Sequence, residues 1–463
     1  MAIADLFRKE LKVVNIGLRE FKDNIGSSAV QVDWKPPVDL EVGAWEKIRR
    51  NRARIEKANA KAVEAILSAE PCLVDLARAI DVIPGMDKDL ILHAGPPIKW
   101  ERMCGPMKGA VIGALVYEGR ASTPEEAEKV AASGSIRFSP CHEHGAVGPM
   151  AGIVSASMPV FVVRNGEAGN FSYGTMNEGL GKVLRYGAYG EDVVRRLKWM
   201  EAVLFPVLKG AVRHLKKIDL KAIIAQALHM GDEVHNRNRA ATSLFFRAIA
   251  PAVVRTCKDR ETAAAALDFI NGNDHFFLNL SMAASKAMLD AARNIPDSSL
   301  CVVMARNGVD FGVQLSGTGD TWFTGPSPVP DALFFKGFTK DDANPDIGDS
   351  SITETAGLGG FAIAASPAIV QFVGGSVEDA LSTTLAMYEI TLAENRAFQI
   401  APLGFRGSPT GIDALKVAET RITPFIDTGV AHKNPGVGQV GAGVLSAPLE
   451  PFEKAANAFA RSL

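Results

Sequence analysis

The chain has 463 residues, 47% of them hydrophobic and 22% charged, and a formal net charge of -2. That length exceeds one typical core, and about 150 residues per domain predicts two to four domains. A pI near 6.5 and a mean hydropathy of +0.08 exclude a disordered chain and the broad basic face that duplex nucleic acid requires.

The opening residues MAIADLFRKELKVVNIGL contain no apolar run followed by a small-residue cleavage site, so no secretory leader and a cytoplasmic location are expected. Residues 1–40 predict a small Rossmann-like βαβ module: VVNIGL, a polar stretch, then VQVDW, stopped by Pro36 and Pro37. Residues 41–187 read as an α/β domain. In it Trp45, Ile48, Ile55, Ala62 and Ile66 mark one face of a helix. Apolar runs at Val82 to Pro84 and Leu90 to Leu92 then feed the loop HAGPPIKWERMCGPMKG and a helix to Tyr117. Gly145 to Val163 carries no charge but is interrupted by Pro149, Pro159, Gly148 and Gly152, which predicts buried strands and turns, not a membrane span. Residues 188–297 have a strongly helical pattern and read as a helical domain, with Asp219 as an N-cap and Gly231 as a stop. Residues 298–463 form a C-terminal α/β domain with predicted strands LCVVMA, FGVQLSG and FAIAAS and a helix near Val377 to Leu392. The fold class is therefore mixed α/β (α+β). Five scattered cysteines without a CxxC pair predict reduced thiols.

Chemistry is concentrated in small-residue and polar loops. In SGTGD, Ser316, Gly317, Thr318, Gly319 and Asp320 offer hydroxyls and close-approaching N–H groups, either an anion cradle or a tight turn closed on itself. Ser350, Ser351, Thr353 and Glu354 precede Gly357, Gly359 and Gly360, and small residues there imply a close neighbour, ligand or backbone. In CHEHG, His142 and His144 share one side of an extended chain, fit for a shared ligand or two metal positions, with Asp232, His235 or Asp274 as completing groups. The runs GDEVHNRNR and NGNDHFFLN place His235, Asn236, Arg237 and Asn273 just ahead of helices, where N–H groups favour anions. Lys99, Arg102 and Lys108 in the proline-containing loop GPPIKWERMCGPMKG make a rigid positive lip.

VDWKPP, GPPIKWERMCGPMKGA, SPCHEHGAVGPMAGI, EGLGKVLRYGAYG, GDEVHNRNRAATSLF, GNDHFFLN, MARNGVDFGVQLSGTGDTWFTGP and DIGDSSITETAGLGGFA together resemble the YlbE/YahG-like family over nearly the whole chain. That family includes AllG-type subunits of oxamate carbamoyltransferase. The resemblance implies a carbamoyltransferase subunit of purine and allantoin catabolism, interconverting oxalurate plus phosphate with oxamate plus carbamoyl phosphate. It implies assembly with FdrA-like (AllF) and AllH-like subunits. No cofactor or metal is assigned. The SxRT and HPxQ motifs of ordinary transcarbamoylases are absent. Such chemistry needs donors for phosphate, a donor for the carbamoyl oxygen and cations for a carboxylate. Ser316, Thr318, Gly319 and Arg306 are assigned to phosphate, His142 or His144 to the carbonyl, and Arg102, Lys99 or Arg237 to the carboxylate. Asp320, Glu354, Asn236 and Asn273 position them. Two other readings are a metal-dependent amidohydrolase built on His142 and His144, and a non-catalytic scaffold subunit.

Overall fold

The computed structural model describes residues 13–16, 19–25, 29–32, 40–369 and 375–463, and the chain divides into two compact units, 1–39 and 40–463. Residues 1–12, read for a secretory leader, and the stop at Pro36 and Pro37 lie outside the described residues. In the first unit β1 (Val13–Ile16) and β2 (Ala29–Val32) pair in parallel, with helix α1 (Arg19–Ile25) between them, the expected βαβ arrangement.

The second unit opens with α2 (Ala44–Arg50) and α3 (Arg52–Ser68). Helix α3 buries Ile55, Asn59, Ala62, Val63 and Ile66, positions three and four apart on one face. Asn59 ties this helix to the C-terminal half of the chain, accepting from the Ser299 amide at 2.9 Å and donating to its hydroxyl at 2.9 Å. Strand β3 (Pro71–Arg78) is the long strand here, whereas Val82 to Pro84, predicted as a strand, belongs to a one-turn helix and the loop after it. A parallel pair, β4 (Leu90–His93) and β5 (Arg137–Pro140), flanks the helices α4 (Gly105–Tyr117) and α5 (Pro124–Ala132).

The apolar run from Gly145 forms β6 (Ala146–Val147) and β7 (Pro159–Asn165), which join β8 (Phe171–Thr175), β3 and β9 (Ile218–Asp219) in a five-stranded sheet ordered β6-β8-β7-β3-β9. The helical stretch supplies α6 (Glu191–Trp199), α7 (Phe205–Leu215), α8 (Leu220–His229), α9 (Arg239–Thr256), α10 (Arg260–Asn271) and α11 (Leu278–Asp290). Asp219 caps α8 through the Ala222 amide at 3.0 Å. Helix α11 lies against β3, β7 and β8 and is buried on every side except at Asp290. Its apolar neighbours form one core running from Ala62 to Ile400, with Phe276 at its centre between Phe161 and Phe245 (ring centroids 6.0 and 5.8 Å).

The C-terminal part contains the antiparallel sheet β12-β11-β10-β14, made of β10 (Cys301–Asn307), β11 (Asp310–Leu315), β12 (Phe323–Pro326) and β14 (Ile347–Gly348). A second sheet, β13-β18-β17, joins β13 (Asp331–Phe334), β17 (Phe425–Ala431) and β18 (Gln439–Ser446), and between them in sequence β15 (Thr391–Ile400) pairs antiparallel with β16 (Arg406–Ile412). FAIAAS, predicted as a strand, is a buried 3-10 helix over Gly359–Ala365. Gly357 (φ +90) and Gly359 (φ +55) turn the backbone out of the extended region, and a short apolar run does not by itself distinguish a buried strand from a buried helical turn. A Cβ at Gly360 would lie 2.4 Å from the Phe425 carbonyl oxygen. Because that atom belongs to strand β17 and cannot rotate away, Gly360→Ala should cost about 1–3 kcal/mol, read as a lowered denaturation midpoint in urea. Among the described residues no helix is long and apolar enough to cross a membrane.

Candidate functional site

One segment, Asp346 to Gly360, carries three buried carboxylates. Asp346, Asp349 and Glu354 are each nearly or wholly buried, and each meets a basic group from a different part of the chain. Asp346 pairs with Arg306 of β10 (Nε to Oδ2, 2.6 Å) and accepts from the Thr428 hydroxyl of β17 at 2.9 Å. Asp349 lies 3.4 Å from Nε2 of His142 and accepts from the amides of Gly95 (2.8 Å) and Gly148 (3.1 Å). Glu354, on the one-turn helix α12 (Ile352–Thr355), accepts from Nδ1 of His235 at 2.7 Å and from the Gly360 amide at 3.0 Å.

Around His235 the carboxylates outnumber the bases. Asp427 Oδ1 of β17 also lies 2.8 Å from Nδ1 of His235, and Glu233 accepts from the Arg237 amide at 2.7 Å. Burial works against a charged imidazole, but the carboxylates of Glu354 and Asp427 outweigh it and hold His235 up at about 10. Burial first, then the neighbouring Asp427 charge, pushes Glu233 well above the usual carboxylate range. Burial likewise raises Glu354, with His235 opposing it. Between Glu233 and His235, Val234 has φ +61, a conformation that a β-branched side chain disfavours.

The second group forms at the carboxyl ends of the parallel pair β4 and β5, a common ligand position in α/β proteins. His93 ends β4 and donates through Nδ1 to the Ala94 carbonyl (2.8 Å), while its Nε2 has no partner. Neither ring nitrogen of His142 makes a hydrogen bond. Lys286 of α11 reaches the His142 carbonyl oxygen at 3.3 Å and Asp290 at 2.7 Å. Burial lowers the pKa of His142, with Asp349 opposing it, and that of Lys286, with Asp290 opposing it. An ion-pair path continues outward from Lys286 through Asp290 and Arg293 to Asp320. Near these groups, a cavity of about 40 Å³ is lined by residues including Gly152, Thr175, Glu178, Arg185 and Asn279, which is room for a few waters.

The structure thus places Glu354 with His235, and His142 with Asp349. It does not bring the other predicted residues to one point. His142 and His144 are not side by side on an extended chain, as expected from their spacing, because Cys141–His144 is a 3-10 turn closed by Gly145 at φ +66. At about 120° per residue the two rings diverge, and His144 bonds instead to the Pro84 carbonyl (2.7 Å) and the Ser139 hydroxyl (2.9 Å).

In the SGTGD loop the Ser316 hydroxyl donates to the Ala292 carbonyl at 2.5 Å, the Gly317 amide to Ser298 at 2.8 Å and the Thr318 hydroxyl to Leu315 at 3.3 Å. Gly319 has φ +65, and Asp320 pairs with Arg293. Arg306 spends its donors on Asp346, the Gly348 carbonyl and Thr428. Ser351 donates to the Met304 carbonyl, and Thr353 to that of Ser350, each at 2.6 Å. Asn273 donates to the Asn177 carbonyl at 3.0 Å, and the buried Asn236 amide nitrogen has no partner. Arg237 lies 3.2 Å from Asp232, Arg102 lies 3.1 Å from Asp310, and Lys99 is exposed.

Sequence reading did not single out Asp427, Asp349, His93, Lys286 or Glu233 as site residues. Lys286, in a helix whose one other charge is its terminal Asp290, and Asp427 in FIDTGVA stand amid apolar residues, and that isolation is the signal that would have found them. His275, also buried, is lowered to about 3 by burial and by the positive charges of Arg185 and His235. A histidine depressed in the folded state stabilises the fold above its ordinary value of 6.5 and loses that contribution as pH falls towards about 3. Over that window the parent protein should lose stability more steeply than His275→Gln, by up to about 1.4 kcal/mol per pH unit. Parallel slopes in urea titrations would contradict the burial of a neutral ring.

Fold and site define a mixed α/β protein in which one connecting segment brings three buried carboxylates to buried basic groups from distant parts of the chain. Residues 136–350 match the family described as Oxamate carbamoyltransferase subunit AllG. The Escherichia coli (strain K12) protein of that name is 47% identical over 412 residues, covering 88% of this chain and 98% of that one. A second protein of that organism, described as Uncharacterized protein YahG, is 46% identical over 458 residues, 97% of each chain. A crystal structure of a conserved protein of unknown function from Enterococcus faecalis V583 superposes with a TM-score of 0.87 at 48% identity, covering 88% of this chain and 98% of that one. The chain belongs to the AllG family.

Proposed function

We propose that this chain is the AllG-type subunit of an oxamate carbamoyltransferase, working with FdrA-like (AllF) and AllH-like subunits in purine and allantoin catabolism. The observation that carries this reading is length-wide: 47% identity with a protein of that name, covering 98% of it. The reaction breaks the bond between the carbamoyl carbon and the amide nitrogen of oxalurate and forms one from that carbon to a phosphate oxygen. The proton ends on the oxamate nitrogen. The His142 group suits this chemistry. A neutral imidazole carries one donor and one acceptor, and both nitrogens of His142 are uncommitted. Asp349 and Lys286 set its surroundings. Lys99, Arg102 or Arg237 is the cation proposed for the carboxylate. The chain reconstituted with its two partner subunits should release carbamoyl phosphate from oxalurate and phosphate. No turnover of oxalurate or of any related ureido acid would overturn the proposal.

A further inference from the structure

The loop ahead of α9, helix α12 and strand β17 bring one imidazole and two carboxylates to a point. Among the described residues, Nδ1 of His235 and one oxygen each of Glu354 and Asp427 lie within 4.8 Å of one another. Nδ1 carries at most one N–H, and its aligned partner is Glu354. Asp427 Oδ1, 2.8 Å from the same nitrogen, lies off that line, and neither Asp427 oxygen accepts a hydrogen bond although the residue is wholly buried. Leaving a buried carboxylate without donors is strongly unfavourable. Two further buried atoms of this loop, Glu233 Oε2 and the Asn236 amide nitrogen, are also without partners. Protein hydrogen bonds thus leave lone pairs over, and the cluster carries more acid than base.

We propose that His235, Glu354 and Asp427 bind one divalent cation of the manganese or zinc class. Around an octahedral ion with bonds of about 2.1 Å, adjacent ligand atoms stand about 3 Å apart, close to the 2.7 and 2.8 Å separations between the imidazole and the two carboxylates. The nitrogen ligand favours manganese or zinc over calcium or magnesium, which prefer all-oxygen sets. Two carboxylates balance the charge of the ion away from solvent. Water completes the coordination, with Glu233 Oε2 and the Asn236 amide nitrogen available to hydrogen-bond it. The packing leaves room for no extra side chain: a Cβ at Gly359 would lie 2.2 Å from Glu354 Oε1 and 3.0 Å from the His235 Cβ. The site shares no residue with the His142 group or with the cations proposed for the carboxylate and does not depend on that reading; Glu354 and Asn236, expected from the sequence to position the transfer groups, serve the ion instead.

The full chain, stripped with chelator and titrated with manganese or zinc chloride by calorimetry, should bind one ion. Pulsed electron paramagnetic resonance of the manganese complex should show nitrogen coupling from one imidazole. Asp427→Asn and Glu354→Gln should each weaken binding at least about tenfold, while Asp331→Asn, whose side chain is 88% exposed, should bind as the parent does. Failure to bind either ion, absence of nitrogen coupling in the parent chain, or unchanged affinity in both site variants would overturn the proposal. The resonance measurement uses the parent chain alone, so it decides the matter even where a variant does not fold.

Discussion

Arg306→Met should lower the unfolding free energy by about 3–5 kcal/mol, the largest stability loss expected of any single charge here. The guanidinium is wholly buried and serves three partners in two sheets: Asp346, the Gly348 carbonyl of β14 and Thr428 of β17. Methionine fills much of the volume but donates nothing, so Asp346 is left as an uncompensated carboxylate in an apolar interior. Most of the loss comes from that stranded charge rather than from the attraction of the pair. The double variant Arg306→Met, Asp346→Asn should therefore recover part of it. Urea denaturation of the parent, both single variants and the double variant gives the coupling energy, and strictly additive losses would contradict the account.

His142→Gln should reduce kcat of the reconstituted complex by about two to four orders of magnitude if the ring transfers or shares a proton in the reaction. The expected separation from folding effects is clean for a physical reason. The His142 ring holds no hydrogen bond in the fold, so glutamine orphans no partner and the melting temperature should change little. Lys286→Met tests the same pocket through its charge. It removes a buried ammonium but leaves Asp290 beside Arg293, and its effect should fall on kcat more than on KM. A complex carrying His142→Gln that turns over at the parent rate would transfer the chemistry to another subunit.

The elements and the site differ in how far they were legible. Helix α3 was readable because Ile55, Ala62 and Ile66 repeat at helical spacing, and β10 and β11 because short β-rich runs sit between turn residues. FAIAAS was misread because a uniformly apolar run carries no period; Gly357 and Gly359, at positive φ, decide its conformation. His142 was singled out for the carbamoyl carbonyl or a metal and lies buried beside Asp349, but its placement on one side with His144 rested on an extended backbone that the turn at Gly145 does not provide. Glu354 and His235 were both singled out from loops 119 residues apart, yet nothing in either loop indicates that they meet, or that Asp427 joins them.

By itself the sequence determined the mixed α/β class, the order of its strongest helices and strands, and the family to which it belongs. These follow from hydrophobic period, turn residues and motif strings, all of which are local. Only the tertiary structure decided that Asp346, Asp349 and Glu354 of one segment receive Arg306, His142 and His235, and that the SGTGD hydroxyls close on their own backbone surroundings. Burial of apolar area is non-directional and is satisfied by many arrangements. A buried charge must find a partner within hydrogen-bonding reach, and which partner it finds depends on how distant strands and loops close around it.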